Sequence, residues 1–223
     1  MTSNRNQMTA MKRVAVNQHK TDIREFGKTV SPAKKLIIML HGRGAMAEDI
    51  AHALQGVLKI DDFAILAPQA TNYTWYPYSF LAPPPQNEPW LTSALELIRF
   101  TTNIGTSNGV PHANIFFAGF SQGACLMLEY VTRNAERYGG VFAFSGGLIG
   151  DKIYPSNYKG DFGGTPVFLG CSDVDPHIPV QRVYATENLL KDRGANVTTR
   201  IYPGMGHTIN EDEIAVANSM ITL

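Results

Sequence analysis

Ten residues constrain this chain more than any others: Ile115-Phe116-Phe117-Ala118-Gly119-Phe120-Ser121-Gln122-Gly123-Ala124. The apolar run that opens them reads as a strand buried on both faces, and it stops abruptly at Gly-Phe-Ser-Gln-Gly. A helical pattern begins at once, with Ala124, Leu128 and Val131 spaced along one apolar face. A serine between two glycines at a strand-to-helix turn has the arrangement of a nucleophile elbow. The turn is so tight that side chains at positions 119 and 123 would collide with the adjoining strand and helix, while Ser121 is pushed outward. A strained backbone is expected at Ser121, as functional sites tolerate. The five-residue pattern alone is common, and the competing reading is a glycine-rich connection with an incidental serine. A base, an orienting group and an oxyanion hole must come from elsewhere in the chain.

Composition narrows what such a turn serves. At 223 residues the chain suits one large domain, residues 1–223, able to bury a substantial core. Nineteen basic and nineteen acidic residues cancel, which leaves no electrostatic footprint for nucleic acid or an anionic membrane surface. Apolar runs such as Leu36 to Leu40 are too short to span a bilayer. The polar stretch Met1 to Ala10 has no apolar segment after Lys12 and Arg13, so no signal peptide is expected. Cys125 and Cys171 lie in apolar segments and read as buried free thiols, which suits a cytoplasmic protein.

Along the chain, residues 1–30 form an N-terminal edge segment in which Val14 to Gln18 and Ile23 to Phe26 are candidate short strands. Leu36 to Leu40 reads as a central parallel strand. It ends at His41-Gly42-Arg43-Gly44, followed by a helix with Ile50, Leu54, Val57 and Leu58 on one face. Phe63 to Leu66 is the next strand. Residues 69–87 then form a long aromatic and proline-rich loop, and loops of this length in compact domains are usually functional or disordered. Asn87 or Glu88 is a candidate cap for the following helix, with Pro89 in its first turn and Leu91, Ala94, Leu95 and Ile98 facing the core. Val141 to Phe144, Pro166 to Leu169 and Val197 to Tyr202 read as strands. Pro179 to Arg193 reads as a helix closed by Gly194, and Asn210 with Glu213 as a capping box for a last helix through Ile214, Ala217 and Ile221. Alternating strands and helices imply an α/β architecture, a mostly parallel sheet with helices on both faces. Ligands then bind beyond the carboxyl ends of the strands.

That rule locates partners for Ser121. Of six histidines, His207 stands directly after the last strand on a glycine-rich turn, where a general base is needed. Asp173 and Asp175 both lie just past the strand from Pro166. Asp175 is the preferred orienter and Asp173 the runner-up, with helix capping as the competing role for both. The order Ser121, Asp175, His207 is that of the α/β-hydrolase fold. The oxyanion hole would draw one backbone N–H from Gln122, at a helix start, and a second from Arg43 in the loop after the early strand. The Arg43 side chain divides evenly between a solvated arginine and a substrate contact. His41 is read as a hydrogen-bonding scaffold for its loop and, with Trp75 and Tyr76, as part of the substrate-binding wall.

Four stretches together resemble the phospholipase/carboxylesterase family of α/β-hydrolases: His41-Gly42-x-Gly44, Gly119-Phe120-Ser121-Gln122-Gly123-Ala124, Asp175-Pro176-His177-Ile178-Pro179 and Tyr202-Pro203-Gly204-Met205-Gly206-His207. The resemblance runs from about Ala33 to the C-terminus. It implies Ser121, Asp175 and His207 as the triad, which decides between the two aspartates, with oxyanion N–H groups from Arg43 and Gln122. It also implies hydrolysis of short-chain esters or thioesters, no cofactor, and often a homodimer. Two positions depart from the family pattern. Arg43 stands where leucine is usual, and Trp75-Tyr76-Pro77 replaces Trp-Phe-Asp. Both changes touch the substrate pocket, so long acyl chains and acylated proteins do not follow from the resemblance.

No lysine or arginine lies between Lys59 and Arg99, so the long loop favours a neutral, small to medium, aromatic ester. The same aromatics would equally serve to pack the loop onto the sheet. Beside the carboxylesterase stand a lysophospholipase or acyl-protein thioesterase, and a hydrolase-fold binding module without catalysis. No histidine pair has metal-ligand spacing, and a metal hydrolase is the least favoured reading.

Overall fold

The computed structural model describes residues 18–31 and 33–221. The candidate strand Val14 to Gln18 therefore lies outside the described residues except for Gln18. The second candidate is present. β1 (Ile23–Gly27) pairs antiparallel with β3 (Ala64–Pro68), and β3 pairs parallel with β2 (Leu36–Leu40). Beyond β2 the sheet continues in parallel through β4 (Ile115–Phe120), β5 (Gly140–Phe144), β6 (Pro166–Ser172) and β7 (Asn196–Tyr202), giving seven strands in the order β1-β3-β2-β4-β5-β6-β7. Every residue of β2, β3, β5 and β6 is buried. An unbroken apolar run is what a strand covered on both faces requires.

Alternate residues of β2 feed two cores. Leu36, Ile38 and Leu40 face one shared with α3 (Trp90–Ser107), α4 (Gln122–Arg133) and α5 (Val180–Asp192). Ile37 and Met39 face the other, which α1 (Ala47–Gln55) and α6 (Glu211–Ile221) cover. Each fully buried Leu or Ile side chain contributes about 1.5–3 kcal/mol of transfer free energy, so the central strands anchor both layers. This is the α/β-hydrolase architecture.

Several element boundaries differ from the pattern reading, each for a local reason. α1 ends at Gln55, so Val57 falls past the helix and is 48% exposed, while Leu58 still turns into the core. Phe63 is buried but precedes β3. Asn87 caps nothing; its side chain accepts from the Tyr78 N–H and donates to the Ser79 carbonyl. Glu88 does serve α3, accepting the Thr92 N–H at 3.0 Å. Gly194 follows α5 with a φ of +79°, the left-handed geometry that ends a helix. Asn210 and Glu213 form the reciprocal box, with Asn210 Oδ1 accepting the Glu213 N–H and Glu213 Oε2 accepting the Asn210 N–H, both at 2.9 Å.

The long loop from residue 69 is more structured than its sequence suggests. It holds a 3₁₀ turn at Thr71–Tyr73 and a short α2 (Pro84–Asn87). Trp75, Tyr76 and Phe80 are buried in the same core as α3 and α4. The parallel order brings the ends of β2, β4, β6 and β7, and this loop, to one edge of the sheet.

Candidate active site

Ser121 sits between β4 and α4 with φ 55° and ψ −121°, a strained conformation for any residue but glycine. The two flanking glycines are required by close approach. A Cβ on Gly123 would lie 2.3 Å from the Leu40 carbonyl oxygen, and one on Gly119 would lie 2.9 Å from the Ala124 nitrogen. The turn is pinned by two backbone bonds of 3.0 Å, from the Ser121 N–H to the Phe144 carbonyl and from the Cys125 N–H to the Ser121 carbonyl.

The hydroxyl of Ser121 meets His207 Nε2 at 2.8 Å, and His207 Nδ1 meets Asp175 Oδ2 at 2.7 Å. With the proton on Nδ1 donated to the carboxylate, Nε2 is free to accept from the serine, the tautomer a general base needs. The Asp175 side chain is fully buried, and its other oxygen accepts the N–H groups of His177 at 2.8 Å and Ile178 at 3.0 Å. Burial opposes ionisation of Asp175, but the bond from His207 and those two backbone bonds outweigh it and hold the carboxyl below its usual range. The imidazole is packed between rings, with Phe120 at 4.8 Å and His177 at 4.9 Å between centroids.

Asp173, the alternative orienter, is elsewhere. Its Oδ1 accepts the Gly204 N–H at 2.7 Å, and Ser172 Oγ accepts the Gly206 N–H at 3.0 Å. These two side chains tie the turn that carries His207 to the end of β6. Sequence reasoning missed Ser172, and only the pairing of β6 with β7 makes its position visible.

Gln122 opens α4, where four backbone N–H groups lack helical partners and the helix dipole favours negative charge. Gly42 stands against Ser121, since a Cβ there would lie 3.6 Å from the serine Cβ. Arg43 follows it on the wall of the same cavity. Arg43 is exposed on the cavity wall, yet its side chain is tethered. Its guanidinium donates to the carbonyls of Pro77 at 3.0 Å, and of Tyr76 and Tyr78 at 2.9 Å each.

A cavity of about 560 Å³ opens over Ser121, with Gly42, Arg43, Gln122 and His207 among its lining residues. Tyr76, Tyr78, Phe80 and Phe120 supply its aromatic walls. Of the three residues expected to contact substrate, only Tyr76 lines it. Trp75 and His41 are fully buried behind the wall and do not. The Trp75 indole donates to the His41 carbonyl at 2.8 Å, and its ring packs on the His41 imidazole at 4.8 Å. His41 Nδ1 donates to the Gly42 carbonyl at 2.7 Å and Nε2 accepts the Ala70 N–H at 3.1 Å. Burial, only partly offset by the bond to Gly42, lowers its pKa and favours the neutral ring that this bonding needs. His41 is thus the scaffold its position suggested. Phe120, His177 and Ile178 line the cavity without having been expected there. All three lie inside the matched motifs, where their spacing carried no sign of which way they point.

The two cysteines are free and buried. Burial pushes both thiols up to about 12, so neither competes with Ser121 as a nucleophile. Among the described residues no group of His, Cys, Asp and Glu could hold a metal ion, and no helix is long and apolar enough to cross a membrane.

The solved phospholipase/carboxylesterase from Dyadobacter fermentans is 52% identical, covers 94% of this chain and 100% of its own, and superposes with a TM-score of 0.90. A probable carboxylesterase of Oryza sativa is 29% identical over 142 residues, 61% of this chain and 52% of the relative. Acyl-protein thioesterase 1 of Neurospora crassa is 32% identical over 117 residues, 52% of this chain and 48% of the relative. The chain spans about half the length of these curated relatives. The family described as Phospholipase/Carboxylesterase matches residues 22–223, nearly all that the structure describes, and the chain belongs to it.

Proposed function

We propose that this protein is a serine carboxylesterase acting on small to medium esters through an acyl-enzyme. The observation that carries the reading is the continuous hydrogen-bonded run from Asp175 through His207 to Ser121. Ser121 Oγ attacks the ester carbonyl while His207 Nε2 takes its proton, and Asp175 holds the ring and stabilises the imidazolium. The backbone N–H groups of Gln122 and Arg43 receive the developing oxyanion. His207 then returns the proton to the departing alcohol. A water activated by the same imidazole attacks the acyl-serine, and its collapse releases the carboxylic acid and restores Ser121. No cofactor takes part in these steps.

The cavity volume of about 560 Å³ suits a small or medium ligand, and its aromatic walls suit an apolar group beside the scissile bond. Thioesters are a second reading, supported by the relatives named acyl-protein thioesterases. The two buried free thiols fit a reducing, cytoplasmic setting. The test is to assay Ser121→Ala against p-nitrophenyl acetate and a fluorophosphonate probe. Turnover and covalent labelling should both vanish while the circular dichroism spectrum is kept; retained turnover refutes the assignment.

A further inference from the structure

The wall of the cavity from Tyr76 to Phe80 has no helix or strand of its own, and Pro77, Tyr78 and Ser79 are exposed. Such a segment would be expected to move. Side chains from other parts of the chain hold it instead. Arg43 takes three consecutive carbonyls, of Tyr76, Pro77 and Tyr78, on one guanidinium. On the other side the fully buried Asn87 accepts the Tyr78 N–H at 2.9 Å and donates to the Ser79 carbonyl at 3.0 Å. Every peptide from 76 to 79 is therefore gripped by one of two side chains.

The chemistry of each grip is specific. Three carbonyl oxygens converging on one point need several donors in a fixed plane, which guanidinium supplies and an ammonium does not. A leucine at position 43 could make none of these bonds. Asn87 uses both halves of its amide, donating and accepting along the same backbone as a neighbouring strand would.

We infer that Arg43 and Asn87 are positioning residues that set the substrate range. By fixing the 76–80 wall they keep the pocket short and aromatic and exclude long alkyl chains. A mobile wall would yield to extra methylenes; a fixed one meets them with overpacking. This inference rests on the ester-hydrolase reading.

The experiment measures kcat and KM for Arg43→Leu, Arg43→Lys and Asn87→Ala on two substrate series. One varies acyl length from acetate to decanoate with p-nitrophenol as leaving group. The other varies the alcohol with acetate as acyl group, so either side of the scissile bond is tested against the wall. In the series that faces the wall, the ratio of kcat/KM for long over short members should rise roughly tenfold in Arg43→Leu and Asn87→Ala alike. The rise should come mainly from a lower KM for long members. Arg43→Lys should behave like Arg43→Leu. Asn87 takes no part in the oxyanion hole, so its variant separates wall loosening from damage at the hole. Unchanged ratios in both series overturn the inference while leaving the esterase reading intact, as does rescue by lysine. Absence of ester turnover in the unaltered protein overturns the reading itself, and the inference with it.

Discussion

Gln122 and Tyr76, which both line the cavity, are joined: Gln122 Nε2 donates to the Tyr76 carbonyl at 2.8 Å. The same amide accepts the Trp75 N–H at 3.0 Å through Oε1. The residue proposed to offer its backbone N–H to the oxyanion thus uses its side chain to hold the wall opposite. Arg43, proposed as the second donor, places Nη2 on the same Tyr76 oxygen at 2.9 Å. One carbonyl receives both, so the two proposed oxyanion donors and the cavity wall share a fixed point.

Gln122→Leu should therefore affect both parts at once. It leaves the buried Trp75 N–H without a partner and removes one of the three donors to the Tyr76 carbonyl, the others being Arg43 and Thr74. A buried polar group left unsatisfied costs about 1–3 kcal/mol. A thermal melt should show that loss, and kcat/KM on p-nitrophenyl acetate should fall by roughly ten- to a hundredfold. An unchanged melting temperature would show that the bond to Trp75 carries no net stability.

The two aspartates after β6 should separate cleanly. In Asp175→Asn the one remaining oxygen keeps the His177 and Ile178 N–H bonds, so the amide NH2 faces His207 Nδ1 and imposes the wrong tautomer, and a drop in kcat of roughly 10³- to 10⁴-fold is expected. Asp173→Asn keeps an oxygen that can accept the Gly204 N–H, so its kcat should stay within about threefold of the unaltered enzyme. Asp173→Ala releases that N–H, and an intermediate loss should follow as the His207 turn loosens. Steady-state kinetics on all three variants decides it. Because the Asp175 carboxyl is held below its unfolded value, its contribution to stability is present above the unfolded pKa. It is lost as pH falls through the folded one. Asp175→Asn should accordingly show a shallower fall in melting temperature on acidification.

Gly123→Ala tests the elbow as packing. The added Cβ would stand 2.3 Å from the oxygen of Leu40, the last residue of β2, and 2.5 Å from the oxygen of His41, the residue after it, both backbone atoms. Neither can move without separating α4 from β2. A loss of about 2–4 kcal/mol is expected, at or above the usual range for overpacking. A denaturant melt within about 0.5 kcal/mol of the unaltered protein would contradict the close approach.

What could be read from the sequence follows from where information is local. The apolar run Leu36 to Leu40, the box of Asn210 with Glu213, and Gly194 as helix stop are short-range patterns, and all three appear as expected. Ser121, His207 and Asp175 could be proposed because each follows a strand, and a parallel sheet sends all those ends to one edge. What stayed hidden is contact between segments distant in sequence. Arg43 reaches Pro77 across 34 positions, and the neutral loop it grips gave no sign that a cation from elsewhere rests on it. Trp75 and His41 show the opposite failure. They stand in the motifs that surround the site, but burial turns them into its foundation.

Glu213 gives the last test: it bonds Asn210, whose amide donates to Met205 Sδ in the turn that carries His207. Its side chain is fully buried. One carboxyl oxygen caps the Asn210 N–H, and the other has no hydrogen-bond partner among the described residues. A Cβ on Gly170 would touch it at 2.0 Å, so β6 has a glycine where this carboxyl needs room. Burial raises the carboxyl to about 7, with the Asn210 bond lowering it only in part and Asp212 adding to the rise. A folded pKa above the unfolded one means that the folded state binds the proton more tightly. The stability Glu213 contributes is complete below the unfolded value and is lost as pH rises through about 7. Between pH 5 and pH 8 the loss is on the order of 2 kcal/mol. Glu213→Gln keeps an acceptor for Asn210 and removes the charge. Its melting temperature should hold nearly level across that interval, where the unaltered protein's declines, and at pH 8 it should be the more stable of the two. Equal slopes for the two proteins would mean that Glu213 stays in one protonation state throughout, and that the turn holding His207 does not respond to pH by this route.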